Sequence, residues 1–315
     1  MRRRRAGHGG VGRRGRWTAT VGLAAALLAG LAGCGKPAGV DGDLVNGWPA
    51  VGEPTSFTPP AGVCHRAEFA DSASRDDFAP VDCGQSHLTE TIHVGTFTGA
   101  AASASAPPAK GTAHYRAAYG ECDRRARRFL GQDFRYGRLW LGVTLPSAAG
   151  WRGGSRWYRC ELGEATDVEN YQEGLVTRSA SLKGALTGTS PLALTCYQVK
   201  AGRGGDIDSM KPAACNRSHN SEFAGVHVVA GSAYPSKPAD WTAIHTGCRK
   251  VIARFARVPD DGDLKYRTGT VVVPAAREDW LAGNRGVRCY LYLSDRTFTK
   301  SLKGAGTRGL PIRYA

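Results

Sequence analysis

The sequence has no hydrophobic run of bilayer-spanning length: its most apolar stretch, Val21 to Ala32, falls short of the about 20 residues a membrane helix requires. It also has no G-x-S-x-G elbow, which removes the usual setting of an activated serine. The glycine clusters Gly150 to Gly154 and Gly202 to Gly205 lack both the Lys-Ser/Thr ending and the following helix of a phosphate loop. Closely paired ligands of the C-x2-C or H-x3-H kind, the usual mark of a zinc site, are missing too.

What is present begins with charge. Seven arginines (Arg2 to Arg5, Arg13, Arg14 and Arg16) and no acid precede the uncharged run Trp17 to Gly33, the layout of a signal peptide over residues 1–33. The run ends Leu31-Ala32-Gly33-Cys34, which resembles the lipobox of bacterial lipoproteins, in which the cysteine receives a diacylglycerol and further acyl chains such as palmitate and becomes the first residue. Cys34 is thus the expected lipidation site, on the extracytoplasmic face of the cell membrane. Residues 34–60, rich in Gly and Pro, read as the anchor and a flexible tether of about 26 residues.

Without residues 1–33 the chain keeps 35 basic and 27 acidic side chains. Residues 61–187 hold 15 basic against 14 acidic, whereas 188–315 hold 19 against 10, so the second half alone is basic. An exported chain does not meet nucleic acid. The partners this charge admits are the membrane reached through the lipid, an anionic wall polymer, and an envelope or division protein.

Of nine cysteines the lipobox takes one, and the other eight (Cys64, Cys83, Cys122, Cys160, Cys196, Cys215, Cys248 and Cys289) suit four disulfides in an oxidising compartment. Superposing the halves of the sequence gives a repeat. Cys64 to Cys83 and Cys196 to Cys215 are both 19 residues apart, and each second cysteine opens the phrase C-x3-H-x2-E, with His87 and Glu90 or His219 and Glu222. The fourth cysteines close W-x2-G-x-R-x2-R-C, with Trp151 and Arg156 in one half and Trp280 and Arg285 in the other. Both halves then exit through Ser-Leu-Lys-Gly, at Ser181 and Ser301.

Periodicity places one helix in each half. Tyr115, Cys122, Ala126 and Phe129 share a face over Ala113 to Leu130, and Trp241, Cys248, Ile252 and Phe255 take the same offsets after Pro238. Runs rich in β-branched and aromatic residues predict strands at Thr91 to Phe97, Leu139 to Leu145, Trp157 to Leu162, Phe223 to Val229, Thr270 to Val273 and Val287 to Leu293, with further ones near Cys64 and Cys196. Ala100 to Lys110 reads as a surface loop. The expected class is α+β: two tandem copies (61–187 and 188–315) of a small antiparallel sheet with one packed helix and two disulfides. Four cysteines allow three pairings. The reading leans to the helix cysteine joined to the cysteine before the histidine, leaving the first and last strands bridged.

Val81, Cys83, His87 and Glu90, a helix cysteine, and the closing Pro146…Trp151-x2-Gly154…Cys160 together resemble the septum formation family of actinobacterial membrane-associated proteins. The second half departs from the pattern at Ala213, in place of Val81, and at Tyr197 and Gln198, in place of His65 and Arg66. The resemblance implies an exported or tethered protein of septal and envelope processes, with no catalytic chemistry attached.

The His-Glu pairs offer ligand types zinc accepts, and a metal-dependent envelope hydrolase built on them is the enzymatic alternative. Against it, two halves that share a fold must both keep fold-determining residues, whereas catalysis needs one working copy. The Trp-Arg pairs could be exposed platforms for sugar or anionic polymer, or tryptophans packed beneath a hairpin, with packing favoured. The expectation is therefore a non-enzymatic envelope binding or scaffold protein with no cofactor and no metal; a purely structural envelope protein is the remaining alternative.

Overall fold

The computed structural model describes residues 56–169, 174–203 and 206–314. The signal peptide, Cys34 and nearly all of the tether lie outside the described residues. In the first half the strands are β1 (Val63–His65), β2 (Ser72–Ala73), β3 (Pro80–Val81), β4 (Thr89–Thr96), β5 (Leu139–Pro146) and β6 (Trp157–Glu164). The second half supplies β7 (Cys196–Ala201), β8 (Ile207–Ala213), β9 (Ser221–Val228), β10 (Gly269–Val273) and β11 (Gly286–Tyr292). They form two sheets, ordered β2-β5-β6-β4-β1-β3 and β10-β11-β9-β7-β8. Apart from the two-residue β2, which runs parallel to β5, both sheets are antiparallel and the strand orders correspond. The class is mixed α+β with four disulfides.

One long helix crosses each sheet. The first, Ala113–Leu130, starts where the Thr112 side chain accepts from the Tyr115 N–H, and it stops at Gly131, whose φ of 84° closes the last turn in the left-handed region. Tyr115, Ala118, Tyr119, Cys122, Ala126 and Leu130 form its buried stripe. Phe129, expected on that stripe, packs only partly against the core. The second, Pro238–Ala256, opens with proline in its first turn, and the Asp240 carboxylate accepts from the N–H groups of Ser236 and Lys237. It buries Ile244, Gly247, Cys248, Val251, Ile252, Ala253 and Ala256.

The cystine pairing corrects the expectation. The bridges are Cys64–Cys83, Cys122–Cys160, Cys196–Cys215 and Cys248–Cys289. Strand order is the reason. Cys64 on β1 and Cys160 on β6 are separated by β4, hence by about 9–10 Å, beyond the reach of a disulfide. Cys83 follows β3, which pairs with β1 opposite Cys64, so its partner is the neighbouring strand; the helix cysteine lies over β6.

The halves share a core. Behind the second sheet, on the side away from its helix, Tyr197, Phe223, Val271, Val273 and Tyr290 pack with Tyr136 and Val168 of the first half. The Glu169 carboxylate accepts from Tyr197 Oη at 2.6 Å and Tyr290 Oη at 3.0 Å. Arg135 donates to Asn284 Oδ1 at 2.6 Å, and its carbonyl accepts from Arg288 Nε at 3.1 Å.

The segment expected as a surface loop is anchored. It begins with a short helix, Gly99–Ala102, that buries Ala101, and its carbonyls at Ala102 and Ala104 accept from Arg156 and Trp151.

A peptide map made without reductant should return these four cystine pairs and none linking the halves. Replacing Cys122 and Cys160 together by Ala should lower unfolding free energy by about 2–4 kcal/mol in a urea melt, whereas an unchanged midpoint would show that the helix does not depend on the bridge.

Candidate functional site

The His-Glu phrases hold the fold. Cys83 leads through a tight turn to His87, whose Nδ1 donates to the Gln85 carbonyl at 2.7 Å while its backbone pairs with Arg178. Three residues on, the Glu90 carboxylate accepts from Ser181 Oγ at 2.7 Å and the Leu182 N–H at 2.8 Å. Leu182 is thereby pinned into the core, fully buried. The second half repeats this. His219 Nδ1 donates to the Arg217 carbonyl at 2.7 Å and its backbone pairs with Phe298; Glu222 accepts from Ser301 Oγ and, at 2.7 Å, from the Leu302 N–H. Each glutamate is a clasp on the Ser-Leu exit phrase.

Two groups of metal-ligand types do form, Cys64 with Cys83 and Glu90, and Cys196 with His219 and Glu222, each with donor atoms within 4.8 Å of one another. The sulfurs are in disulfides and carry no thiolate charge, and both carboxylates already accept from Ser and Leu. Among the described residues the buried Nε2 atoms of His87 and His219 have no hydrogen-bond partner, so in the oxidised chain the imidazoles are the donors left over.

The aromatic platforms are overturned. Trp151 and Trp280 are each 1% exposed, inside the short helices Ala148–Arg152 and Arg277–Ala282. Their indole N–H groups donate to the carbonyls of Ala104 at 2.7 Å and Ala233 at 2.9 Å. The Arg156 guanidinium lies 4.3 Å above the Trp151 ring, yet it too is committed, donating to the carbonyls of Ala102, Trp151 and Ser155. Arg285 donates to Gly231 O. A buried indole fills volume and needs one acceptor; here a loop carbonyl supplies it.

Sequence reasoning missed a polar cluster on the face of the first sheet turned away from its helix. Thr91 Oγ1 donates to Glu161 Oε1 at 2.7 Å and lies 2.9 Å from His65 Nε2; Arg159 Nε is 3.0 Å from Glu161 Oε1. Phe78 covers it, 5.7 Å from the His65 ring centre to centre and 5.7 Å from the Arg159 guanidinium. Burial, then Arg159, lowers the His65 pKa from 6.5 to about 4, while burial raises that of the Glu161 carboxyl against the pull of Arg159 and Thr91. By register, the second sheet has Tyr197, Phe223 and Tyr290 where the first has His65, Thr91 and Glu161. The fold does not require polarity there. The signal in the sequence was the departure of Tyr197 from His65, with Arg159 and Glu161 alternating along a strand.

A cleft of about 390 Å³ opens beside this face, where Trp140 of β5 meets the short helix Arg277–Ala282. Phe69, Trp140, Asp279, Asn284 and Arg288 are among its walls. The Trp140 Nε1–H donates to Asp279 Oδ1 at 3.4 Å, and burial raises the Asp279 pKa.

Glu90→Gln or Glu222→Gln should cost about 1–3 kcal/mol in unfolding free energy. Pairing Glu90→Gln with Ser181→Ala should cost less than the two changes summed, and additivity would argue against the clasp. For His65 the folded pKa is depressed, so its contribution is complete above pH 6.5 and is lost as pH falls towards about 4. Glu161, with a raised pKa, contributes in the opposite sense, below its unfolded value. His65→Tyr should flatten the loss of Tm between pH 6.5 and 4; an unchanged slope would assign that loss to other groups.

No curated protein and no solved structure matches the chain. A family model described as septum formation matches residues 61–289, which takes in all eight bridged cysteines, the first sheet and the second as far as Cys289 on β11. The chain belongs to the septum formation family.

Proposed function

We propose that this chain is a lipid-anchored binding or scaffold protein of the cell envelope, held by Cys34 on the extracytoplasmic face of the membrane and acting in septum formation without catalysing a reaction. The observation that carries the reading is that every cysteine from Cys64 to Cys289 is in a disulfide, the state an exported chain reaches in an oxidising compartment. The lipobox-like ending at Cys34 and the family membership support it from the sequence side.

The binding role follows from how the side chains are used. The carboxylates and indoles that looked chemical are committed to holding two copies of one module, 61–187 and 188–315, and each imidazole is tied to its turn through Nδ1. A cleft walled by Trp140, Phe69 and Asp279 offers a concave surface to a partner. The correspondence of strand order, of cystine pairs and of glutamate clasps supports the duplication.

Cys34→Ser should abolish acyl labelling and move the protein from the membrane fraction into the medium. Persistence in the membrane without the label would contradict the anchor. A photo-crosslinker at Glu278, on the cleft wall, should capture one defined envelope component in dividing cells, and Trp140→Ala should abolish the adduct; capture that ignores Trp140 would contradict a role for the cleft.

A further inference from the structure

The two long helices carry basic residues at matching offsets from their cysteines, yet their surroundings differ in charge. In the first, Arg124 and Arg125 share the Glu121 carboxylate, at 2.6 Å each, and Arg127 pairs with Asp133 at 2.8 Å. The second helix has Gly247 at the position of Glu121, Lys250 at that of Arg124 and Arg254 at that of Arg128. No acid follows Asp240 anywhere along that helix. Among the described residues, neither Lys250 nor Arg254 has an ion-pair partner, and the one ion pair of the second half is the exposed Arg313–Asp295 at 3.9 Å.

Gly247 does more than omit an acid. A Cβ placed on it would fall inside the His227 imidazole, so the ring of this β9 residue occupies the space that a side chain would take. His227 is seated on the helix, half-buried, within the electrostatic reach of Lys250 and Arg254 and of no acid that perturbs it. In the first half Gly95 stands at the register position of His227, and His93, two residues before it, feels Arg125 and Arg128 but also the opposing charge of Glu121. The first helix therefore meets its arginines with acids, whereas the second seats a half-buried imidazole on Gly247 with two exposed cations further along the same helix and no acid among them.

We propose that His227, Lys250 and Arg254 form a binding site for a phosphate group. The chemistry fits an oxyanion: Arg254 offers a planar fork of donors, Lys250 a mobile point charge, and His227 an imidazole whose place is fixed by its packing on Gly247. Because Lys250 and Arg254 are exposed, the site takes a phosphate borne on something larger as readily as a free one. Exposure also makes binding sensitive to ionic strength. The site does not depend on lipidation.

The test uses the secreted chain carrying Cys34→Ser, so that no lipid contributes, with matched ionic strength throughout. Inorganic phosphate should shift the His227 ring resonances, and Lys250→Gln with Arg254→Gln should weaken that response by about ten-fold or more. Arg124→Gln with Arg128→Gln, the matching change on the first helix, should leave it intact. Vesicles of phosphatidylglycerol, against phosphatidylcholine, then separate sources: binding that the second-helix variant loses assigns a lipid headgroup, and a phosphate response without vesicle binding assigns a free or polymer-borne phosphate. The proposal is overturned if His227 responds to neither probe, or if its response survives loss of Lys250 and Arg254.

Discussion

Two sulfur bridges constrain each half, one tying the first strand to the turn that precedes the histidine, the other fastening the helix to a central strand of the sheet. The remaining contacts depend on that geometry. With the turn held at Cys83 or Cys215, the strand that follows carries its glutamate to the spot where the chain leaves the sheet, and the carboxylate closes on Ser-Leu. A carboxylate that accepts a backbone N–H and a hydroxyl at a buried position is costly to remove, because both donors would be stranded. That cost gives both halves a physical reason to keep Cys, His and Glu together without any catalytic demand.

The same constraint leaves the far faces of the sheets free to diverge. In the second sheet that face is aromatic and buried against Tyr136 and Val168, with Glu169 placed between two tyrosine hydroxyls. In the first it holds His65, Thr91, Arg159 and Glu161 beneath Phe78. Aromatic side chains in the second sheet at the register of His65, Thr91 and Glu161 mean that those three are local to the first half, while the arginine is kept as the buried Arg288. The halves are joined through the second sheet's far face, and the cleft at Trp140 lies along that junction.

Much of this was legible in the sequence, for identifiable reasons. The 3.6-residue period located both long helices because each buries one face, and the runs of β-branched and aromatic residues located six strands to within a few residues. Strand β8 was missed: Asp208, Lys211 and Pro212 give it the look of a loop, as suits an edge strand that pairs on one side alone. Cystine pairing was misjudged because spacing carries no information on which strands are neighbours, and β4 between β1 and β6 decides it. Trp151 and Trp280 were placed under their hairpins by the favoured reading, but their carbonyl partners at Ala104 and Ala233 lie 47 residues away and have no local signature. The polar cluster and the cleft are assembled across strands and halves, which is why single segments did not reveal them.

The account turns on the cysteine sulfurs and the glutamate carboxylates being committed to structure. A calorimetric titration of the oxidised chain with Zn²⁺ tests it most directly. No stoichiometric uptake is expected, since the three sulfurs grouped with Glu90 and Glu222 are in disulfides and both carboxylates are already hydrogen-bonded. Saturable binding of one or two equivalents that disappears in His219→Ala would contradict it.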